Sequence, residues 1–162
     1  MDDNTQHVMF SAKSDDWTTP RPLFDALNEE FQFDIDGAAT KQNALCPKYY
    51  GIDNGGKGKP ECLGDALFGG WAIGSRIFIN PPYSKCKEFV AKAKQEMLIN
   101  RVTSVLLVPS RTDTKWFHDH VWDRQRHQPQ WCTEVRFLKG RLKFGGGLNS
   151  APFPSMLIIF RP

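Results

Sequence analysis

The chain has 162 residues, which is long enough for one ordinary domain and too short for two. Of these residues 40% are hydrophobic and 24% are charged, a composition typical of a soluble globular protein. No apolar run approaches the ~20 residues that a membrane-spanning helix needs. The acidic start, Met1 to Asn4, lacks the layout of a secretory signal, so we expect a cytoplasmic protein. Four scattered cysteines without a C-x-x-C pair indicate neither a zinc site nor a disulfide framework.

The net charge of +3 is unevenly distributed along the chain. Residues 1–84 carry 7 basic and 12 acidic side chains, whereas residues 85–162 carry 14 basic and 6 acidic ones. A basic half suits a polyanionic partner, and an acidic half is better suited to a cationic small molecule. Ordinary surface charge that keeps the protein soluble explains the same numbers.

The N-terminal half contains one clear helix and several turns. Residues 1–16 are predicted to be a flexible N-terminus, followed by a single domain over residues 17–162. Thr19 and Pro20 are typical of a helix N-cap and first helical position. Apolar residues at helical spacing follow: Leu23, Phe24, Leu27 and Phe31. The alternation over residues 33–36 predicts a short strand, and the five glycines of residues 51–64 predict a loop.

The second half alternates strands and helices more regularly. Residues 76–79 predict a buried strand, and Ser84 is expected to cap the helix that follows. The apolar face predicted for this helix consists of Cys86, Phe89, Val90, Ala93 and Met97. Residues 105–108 form a continuous apolar run, which is typical of a central parallel strand. A short helix around Trp116 and two strands, over residues 134–138 and 156–160, complete the pattern. The order predicts an open α/β sheet, mostly parallel, with an antiparallel C-terminal strand.

The segment Asn80-Pro81-Pro82-Tyr83 directly follows a predicted strand and is the strongest candidate for chemistry. Two prolines fix φ and remove two backbone donors, which leaves a stiff loop rich in acceptors. The Asn80 amide oxygen and the Pro81 carbonyl could accept both hydrogens of an aromatic amine and position its nitrogen for attack. Tyr83 is suited to stacking on a base that has left a duplex. The other interpretation is a loop that only ends a strand.

The Asn-Pro-Pro-Tyr segment is similar to motif IV of the amino methyltransferases, and residues 17–160 resemble the phage-type DNA N6-adenine methyltransferases related to Dam. The matching blocks are residues 17–20, 34–39, 43–46 with 49–50, Trp71, 79–83, 113–117 and 140–144. This resemblance implies a Rossmann-like methyltransferase fold, S-adenosylmethionine as methyl donor, double-stranded DNA as partner and adenine N6 as acceptor. It also implies the cytoplasm of a phage-infected or lysogenic bacterium as location. No metal is expected.

The resemblance further implies a set of cofactor-binding residues. Asp36, with Gly37 and Ala38, falls where an acidic motif after the first strand meets the cofactor. The N-terminal motif that packs around the methionine moiety matches residues 17–20, with Trp17, Thr18 and Pro20 as the candidates, and Asn80 also contacts the cofactor. Asp65 is a candidate for the adenine end and Asp53 for the ribose, although no second strand is identifiable to carry a ribose-binding acid.

Several alternatives stay open. Arg111, Arg141 and Lys143 lie in the basic half and are candidates for DNA phosphate contacts. Sequence specificity could reside in residues 51–70 or 110–133. Cytosine N4, RNA or a protein glutamine amide could replace adenine as acceptor, and a DNA-binding relative without activity is the remaining hypothesis.

Overall fold

A computed structural model describes residues 18–51, 58–146 and 149–162 and contains one large sheet flanked by helices. The helices are α1 (Arg21–Phe31), α2 (Cys86–Asn100) and α3 (Lys115–His120). The strands are β1 (Ile35–Asp36), β2 (Lys48–Tyr49), β3 (Glu61–Cys62), β4 (Arg76–Ile79), β5 (Thr103–Pro109), β6 (Trp122–Asp123), β7 (Gln128–Pro129), β8 (Thr133–Phe137) and β9 (Ser155–Phe160). Two 3-10 turns, Tyr83–Lys85 and Phe144–Gly146, complete the list.

The seven-stranded sheet has the order β3-β2-β1-β4-β5-β9-β8, and β6 pairs with β7 in a separate hairpin. Strands β1 to β5 are parallel to one another, whereas β9 is antiparallel to both β5 and β8. The prediction of a mostly parallel sheet with an antiparallel C-terminal strand is therefore confirmed. No helix among the described residues is long and apolar enough to cross a membrane.

Helix α1 covers one face of the sheet, and α2 with α3 covers the other. The buried residues of α1, Phe24, Leu27 and Phe31, lie three and four positions apart and so share one side of the helix. The Phe24 ring packs edge-on against Phe78 of β4, with centroids 5.3 Å apart. This apolar contact fixes the start of α1 beside β4. Pro20 itself is the N-cap, so the helix begins one residue later than predicted.

The sheet has two unequal sides. We call β1, β2 and β3 the short-strand side, because each strand has two residues, and β4, β5, β9 and β8 the long-strand side. The described residues 37–51 and 58–75 contain no α-helix. Short strands joined by loops explain how β2, β3 and β4 fit between Asp36 and Asn80. The loop predicted over residues 51–64 was wrong in part, since β3 lies within it as an edge strand.

Parallel strands place all their carboxyl ends at one edge of the sheet, which we call the carboxyl edge. The β6–β7 hairpin joins the sheet at the opposite, amino edge, because β8 begins there. Thr133 of β8 pairs with Phe160, which pairs with Ser104 near the start of β5. The basic residues of the hairpin turn, Arg124 and Arg126, therefore belong to an element that joins the sheet at its amino edge and not at its carboxyl edge.

The helix starts in the second half differ from the prediction. Ser84 lies inside the 3-10 turn, and Lys85 is the N-cap of α2, without a side-chain cap hydrogen bond. The 3-10 turn carries the chain from the Asn80 loop into α2. All five apolar positions predicted for this helix face are buried: Cys86, Phe89, Val90, Ala93 and Met97.

Candidate active site

The topological switch point of the sheet lies between β1 and β4. After β1 the chain builds the sheet in one direction through β2 and β3, and after β4 in the other. Crevices at such switch points, at the carboxyl edge, are the usual ligand sites of open α/β sheets. A cavity of about 500 Å³ occupies this position, between Asp36 at the end of β1 and Asn80 at the end of β4. Its volume is in the range of small-molecule sites.

The cavity takes its walls from both sides of the sheet and from the segment before α1. The lining residues are Thr18, Thr19, Asp36, Gly37, Ala38, Ala39, Thr40, Asn43, Leu45, Tyr50, Gly51, Asp65, Ala66, Leu67, Asn80, Pro82, Ser84, Lys85 and Phe89. Most are apolar or uncharged. Two acidic side chains among them, Asp36 and Asp65, lie on the short-strand side.

Asp36 supplies a carboxylate at the base of the cavity. Its residue is only 4% exposed, and its two oxygens accept hydrogen bonds from the backbone amides of Leu45 (3.1 Å) and Ala38 (3.3 Å). Burial raises the pKa of Asp36 from 3.8 to about 6, and the two amides act in the opposite direction. The group is therefore ionised at neutral pH and presents negative charge to a cationic ligand.

Gly37 allows β1 and β4 to approach closely at the site. A Cβ atom at this position would lie 2.6 Å from Ile79 Cγ1 and 2.9 Å from Ile77 Cγ2. The Gly37 amide donates a 2.7 Å hydrogen bond to the Phe78 carbonyl, so the two backbones are joined beyond the end of β1. A side chain here would have to displace the buried side chains of Ile77 and Ile79.

The outer wall, residues 65–71, is held by a buried carboxylate on α2. Glu96 is 3% exposed and accepts the Trp71 amide at 3.0 Å, while the Trp71 indole donates to the Ala66 carbonyl at 2.8 Å. Burial acts to raise the pKa of Glu96, but hydrogen bonds from Lys92, Asn100 and the Trp71 amide hold it below its ordinary value. The wall is thus tied to the long-strand side by polar contacts.

Asn80 ends β4 at the cavity, with its side chain oriented by the segment before α1. Its Nδ2 donates a 3.0 Å hydrogen bond to the Thr19 hydroxyl oxygen. Pro81 is buried and does not line the cavity, whereas Pro82 does. The Lys85 amide donates to the Pro82 carbonyl at 2.8 Å, which closes the turn into α2. The loop is fixed at both ends.

Tyr83 lies outside the cavity lining and packs on the β8–β9 connection. Its ring meets Phe153 edge-on, with centroids 4.7 Å apart, and Phe144 lies 6.4 Å beyond Phe153. Tyr83 is half-buried, and this aromatic contact fixes its ring beside the Asn80 loop. The β8–β9 connection also contacts the cavity wall, since the Gly145 amide donates to the Thr18 carbonyl at 2.9 Å.

The predicted phosphate-binding residues all lie beyond the carboxyl ends of long strands. Arg111 follows β5, while Arg141 and Lys143 belong to the β8–β9 connection, and all three are exposed. The carboxyl edge is therefore acidic at β1 and basic past β5. The acidic first half and the basic second half of the sequence thus contribute different parts of this edge. The described residues contain no group of three or more His, Cys, Asp or Glu side chains that could hold a metal ion.

Most of the predicted cofactor residues that are described lie around one cavity. Thr18, Asp36, Gly37, Ala38, Asp65 and Asn80 line it. Pro20 does not line it, and Trp17 and Asp53 lie outside the described residues. Among the cavity residues, Leu45, Tyr50 and Lys85 were not predicted from the sequence, and Thr19 lay within the matched motif without being a named candidate. Leu45 contributes through its backbone amide, which side-chain chemistry could not reveal.

Comparison with known proteins identifies the family to which the sequence is similar. The sequence profile of the family described as DNA N-6-adenine-methyltransferase (Dam) matches residues 6–162. The DNA N-6-adenine-methyltransferase of Escherichia phage T1 is 32% identical over 107 residues, 65% of this chain and 40% of the relative. That of Haemophilus phage HP1 is 27% identical over 148 residues, 90% of this chain and 78% of the relative.

The chain thus spans about two fifths of the phage T1 protein that it matches. Among solved structures, the 23S rRNA methyltransferase ErmE superposes with a TM-score of 0.56 at 11% identity. That match covers 91% of this chain and 70% of the ErmE chain. A likeness at this level of identity concerns the fold, and it agrees with a methyltransferase sheet.

Proposed function

The chain belongs to the Dam family of DNA N-6-adenine methyltransferases, and from that premise we propose that it transfers a methyl group from S-adenosylmethionine to adenine N6 in double-stranded DNA. The main support for the proposal is that Asp36 and Asn80 line the same cavity. One side of this cavity offers negative charge for a cationic cofactor. The other offers a rigid loop of acceptors for an amine.

The residues of the cavity fit S-adenosylmethionine. The buried Asp36 carboxylate suits a positively charged ligand, and the volume of about 500 Å³ suits a cofactor of this size. We assign Asp36, Gly37, Ala38 and Thr18 to its binding, with Asp65 at the far wall. When bound, the cofactor supplies an electrophilic methyl group on a sulfonium.

The Asn80 loop acts on the acceptor. The Asn80 amide oxygen and the Pro81 carbonyl accept the two hydrogens of the exocyclic amine, which orients the nitrogen lone pair towards the methyl group. These acceptors would stabilise the positive charge that develops on the nitrogen during transfer, and one amine proton would then leave to solvent. Such positioning and electrostatic stabilisation supply the rate, because an aromatic amine is a weak nucleophile.

Adenine must leave the duplex to reach this cavity, and the surface beyond β5 is suited to hold the DNA. Tyr83 provides a ring for stacking on the extruded base. We propose phosphate contacts for Arg111, Arg141 and Lys143, which are exposed on the same edge of the sheet. The phage relatives support action in the cytoplasm of an infected or lysogenic bacterium.

Label transfer tests the proposal. The protein is incubated with tritiated S-adenosylmethionine and separate pools of duplex DNA, RNA and protein. We expect label in the DNA pool alone, and we expect Asn80→Ala, which removes the side-chain acceptor, to lose it. Label in the RNA or the protein pool would mean that the acceptor is RNA or protein instead of DNA. Salt-sensitive DNA binding without any methyl transfer would indicate a relative that only binds DNA.

A further inference from the structure

The hydrogen bond from Asn80 to Thr19 determines which end of the Asn80 amide faces the acceptor. We infer that Thr19 is a positioning residue for methyl transfer, an inference that rests on the proposed function. The Thr19 hydroxyl oxygen accepts the Nδ2 hydrogen at 3.0 Å. Because Nδ2 and Oδ1 are on opposite sides of the amide, this bond turns Oδ1 away from Thr19.

The orientation matters because the two ends of the amide have opposite effects on an amine. Oδ1 accepts an N–H hydrogen and stabilises positive charge on the nitrogen, whereas Nδ2 would direct a donor at the same N–H group. A free asparagine side chain can rotate between the two arrangements about its last torsion angle. A threonine hydroxyl can accept from Nδ2 or donate to Oδ1, and in the structure the Thr19 hydroxyl accepts from Nδ2, which is the arrangement that leaves Oδ1 for the amine.

Both partners of this bond are anchored to the same strand. Thr19 is 8% exposed and directly precedes Pro20, whose carbonyl accepts the amides of Leu23 and Phe24 at 3.1 Å in the first turn of α1. The Phe24 ring then packs on Phe78, two residues before Asn80. Thr19 and Asn80 are therefore held at a fixed separation by the packing of α1 on β4.

The segment is also held from the other side. The Thr18 carbonyl accepts the Gly145 amide at 2.9 Å, which links it to the β8–β9 connection. A residue held on both sides can orient a neighbouring amide with little loss of conformational entropy when substrate binds. Thr19 is thus poised to orient Asn80 before DNA arrives.

Three substitutions at position 19 separate the hydroxyl from the shape of the side chain. Thr19→Val keeps the branched shape and loses the acceptor, Thr19→Ala loses both, and Thr19→Ser keeps the hydroxyl. We expect Thr19→Val to lower single-turnover methyl transfer about ten-fold, the worth of one net hydrogen bond. Thr19→Ser should restore the rate to within about three-fold of the parent. Thr103→Val, the same change at the amino edge, is the matched control.

The Asn80→Asp background distinguishes positioning from direct contact with the cofactor. A carboxylate presents an oxygen whichever way it turns, so Thr19 has no orientation to select there, and its hydroxyl instead donates to one of two equivalent oxygens. We expect Thr19→Val to change the residual rate less than about two-fold in this background. Calorimetric affinity for S-adenosylmethionine and the unfolding temperature should change little in either background.

The outcomes are distinguishable. If the parent protein methylates DNA but Thr19→Val matches it, or if Val and Ser are equally impaired, Thr19 does not position Asn80. An equal loss in the parent and in the Asn80→Asp background, together with weaker cofactor binding, would assign Thr19 to the cofactor instead. If Thr19→Val does not fold, the same comparison is made with Thr19→Ala. A parent protein without activity on DNA overturns the proposed function and this inference with it.

Discussion

The short-strand side and the long-strand side both present a loop to one cavity, but they hold it by different means. On the long-strand side, β5 and β9 are buried over almost their whole length between the helices, and the Asn80 loop continues from this apolar core. On the short-strand side, strands of two residues are connected by backbone hydrogen bonds across loops. Examples are the Tyr50 amide to the Asp36 carbonyl at 2.8 Å and the Gly51 amide to the Gly64 carbonyl at 2.8 Å.

This difference has a physical consequence. Apolar burial is insensitive to pH and tolerates small polar changes at the surface, so it suits a loop that must hold a reacting amine in one geometry. The short-strand side is built around one buried carboxylate and one close glycine contact, so the loss of either group is expected to disturb its structure. We therefore expect changes on the long-strand side to affect catalysis, and changes on the short-strand side to affect cofactor affinity and folding.

The largest expected effect separates catalysis from binding. Asn80→Ala should reduce methyl transfer at saturating cofactor and DNA at least about 100-fold, because it removes an acceptor for the amine. Affinity for S-adenosylmethionine should fall much less, since Asp36 and the short-strand side are intact. Single-turnover kinetics and calorimetry on the same preparation measure both. A loss of affinity as large as the loss of rate would mean that Asn80 serves mainly the cofactor.

Gly37 tests whether the two sides must touch. Gly37→Ala places a methyl group within 3 Å of Ile77 and Ile79, and we expect about 1–3 kcal/mol of destabilisation together with weaker cofactor binding. Gly70→Ala is the matched control, because its methyl group would meet the Asn100 side-chain amide at 3.1 Å and no core residue. Thermal or urea unfolding measures the stability of each variant. A Gly37→Ala variant as stable as the parent protein would contradict the close contact.

The pH dependence of cofactor binding tests the buried carboxylate. With the pKa of Asp36 raised to about 6, the group is almost fully ionised at pH 7.5 and about one tenth ionised at pH 5. If the ionised form binds the cofactor, affinity should fall about ten-fold as the pH falls over this range. Asp36→Asn should bind weakly with a flat profile. If the affinity of the parent protein depends on pH as little as that of Asp36→Asn, the charge of Asp36 does not contribute to cofactor binding.

The smallest expected effect concerns DNA. Replacing Arg141 and Lys143 together by Gln should make the slope of log K against log salt concentration shallower by about 2, one for each phosphate contact. The matched pair Arg124→Gln and Arg126→Gln makes the same charge change at the β6–β7 hairpin, which joins the amino edge. Filter binding over a salt series compares the pairs. An effect confined to the hairpin pair would place the DNA on the other edge.

The long-strand side could be predicted from the sequence because its elements are long enough to show a pattern. Residues 76–79, 105–108 and 156–160 were all identified as strands, and each is buried in the sheet. The face of α2 was also correct. Strands of four to seven residues and a helix of fifteen leave apolar runs or a 3.6-residue period that can be recognised.

The short-strand side could not be predicted to the same extent. A strand of two residues, such as β2 or β3, leaves no periodicity, and its existence depends on a neighbour far along the chain. The site itself was found in part: the acid and the Asn80 loop follow strands, and strand ends meet at one edge. Contacts through backbone amides, such as Leu45 on Asp36, and the Thr19 contact with Asn80 depend on tertiary structure alone.

The most direct test of the central claim is to identify the methylated nucleoside. Duplex DNA is incubated with the protein and S-adenosylmethionine, digested to nucleosides and examined by mass spectrometry, with Asn80→Ala in parallel. The account predicts N6-methyladenine from the parent protein and none above background from Asn80→Ala. N4-methylcytosine as the sole product, or equal N6-methyladenine from both proteins, would contradict it.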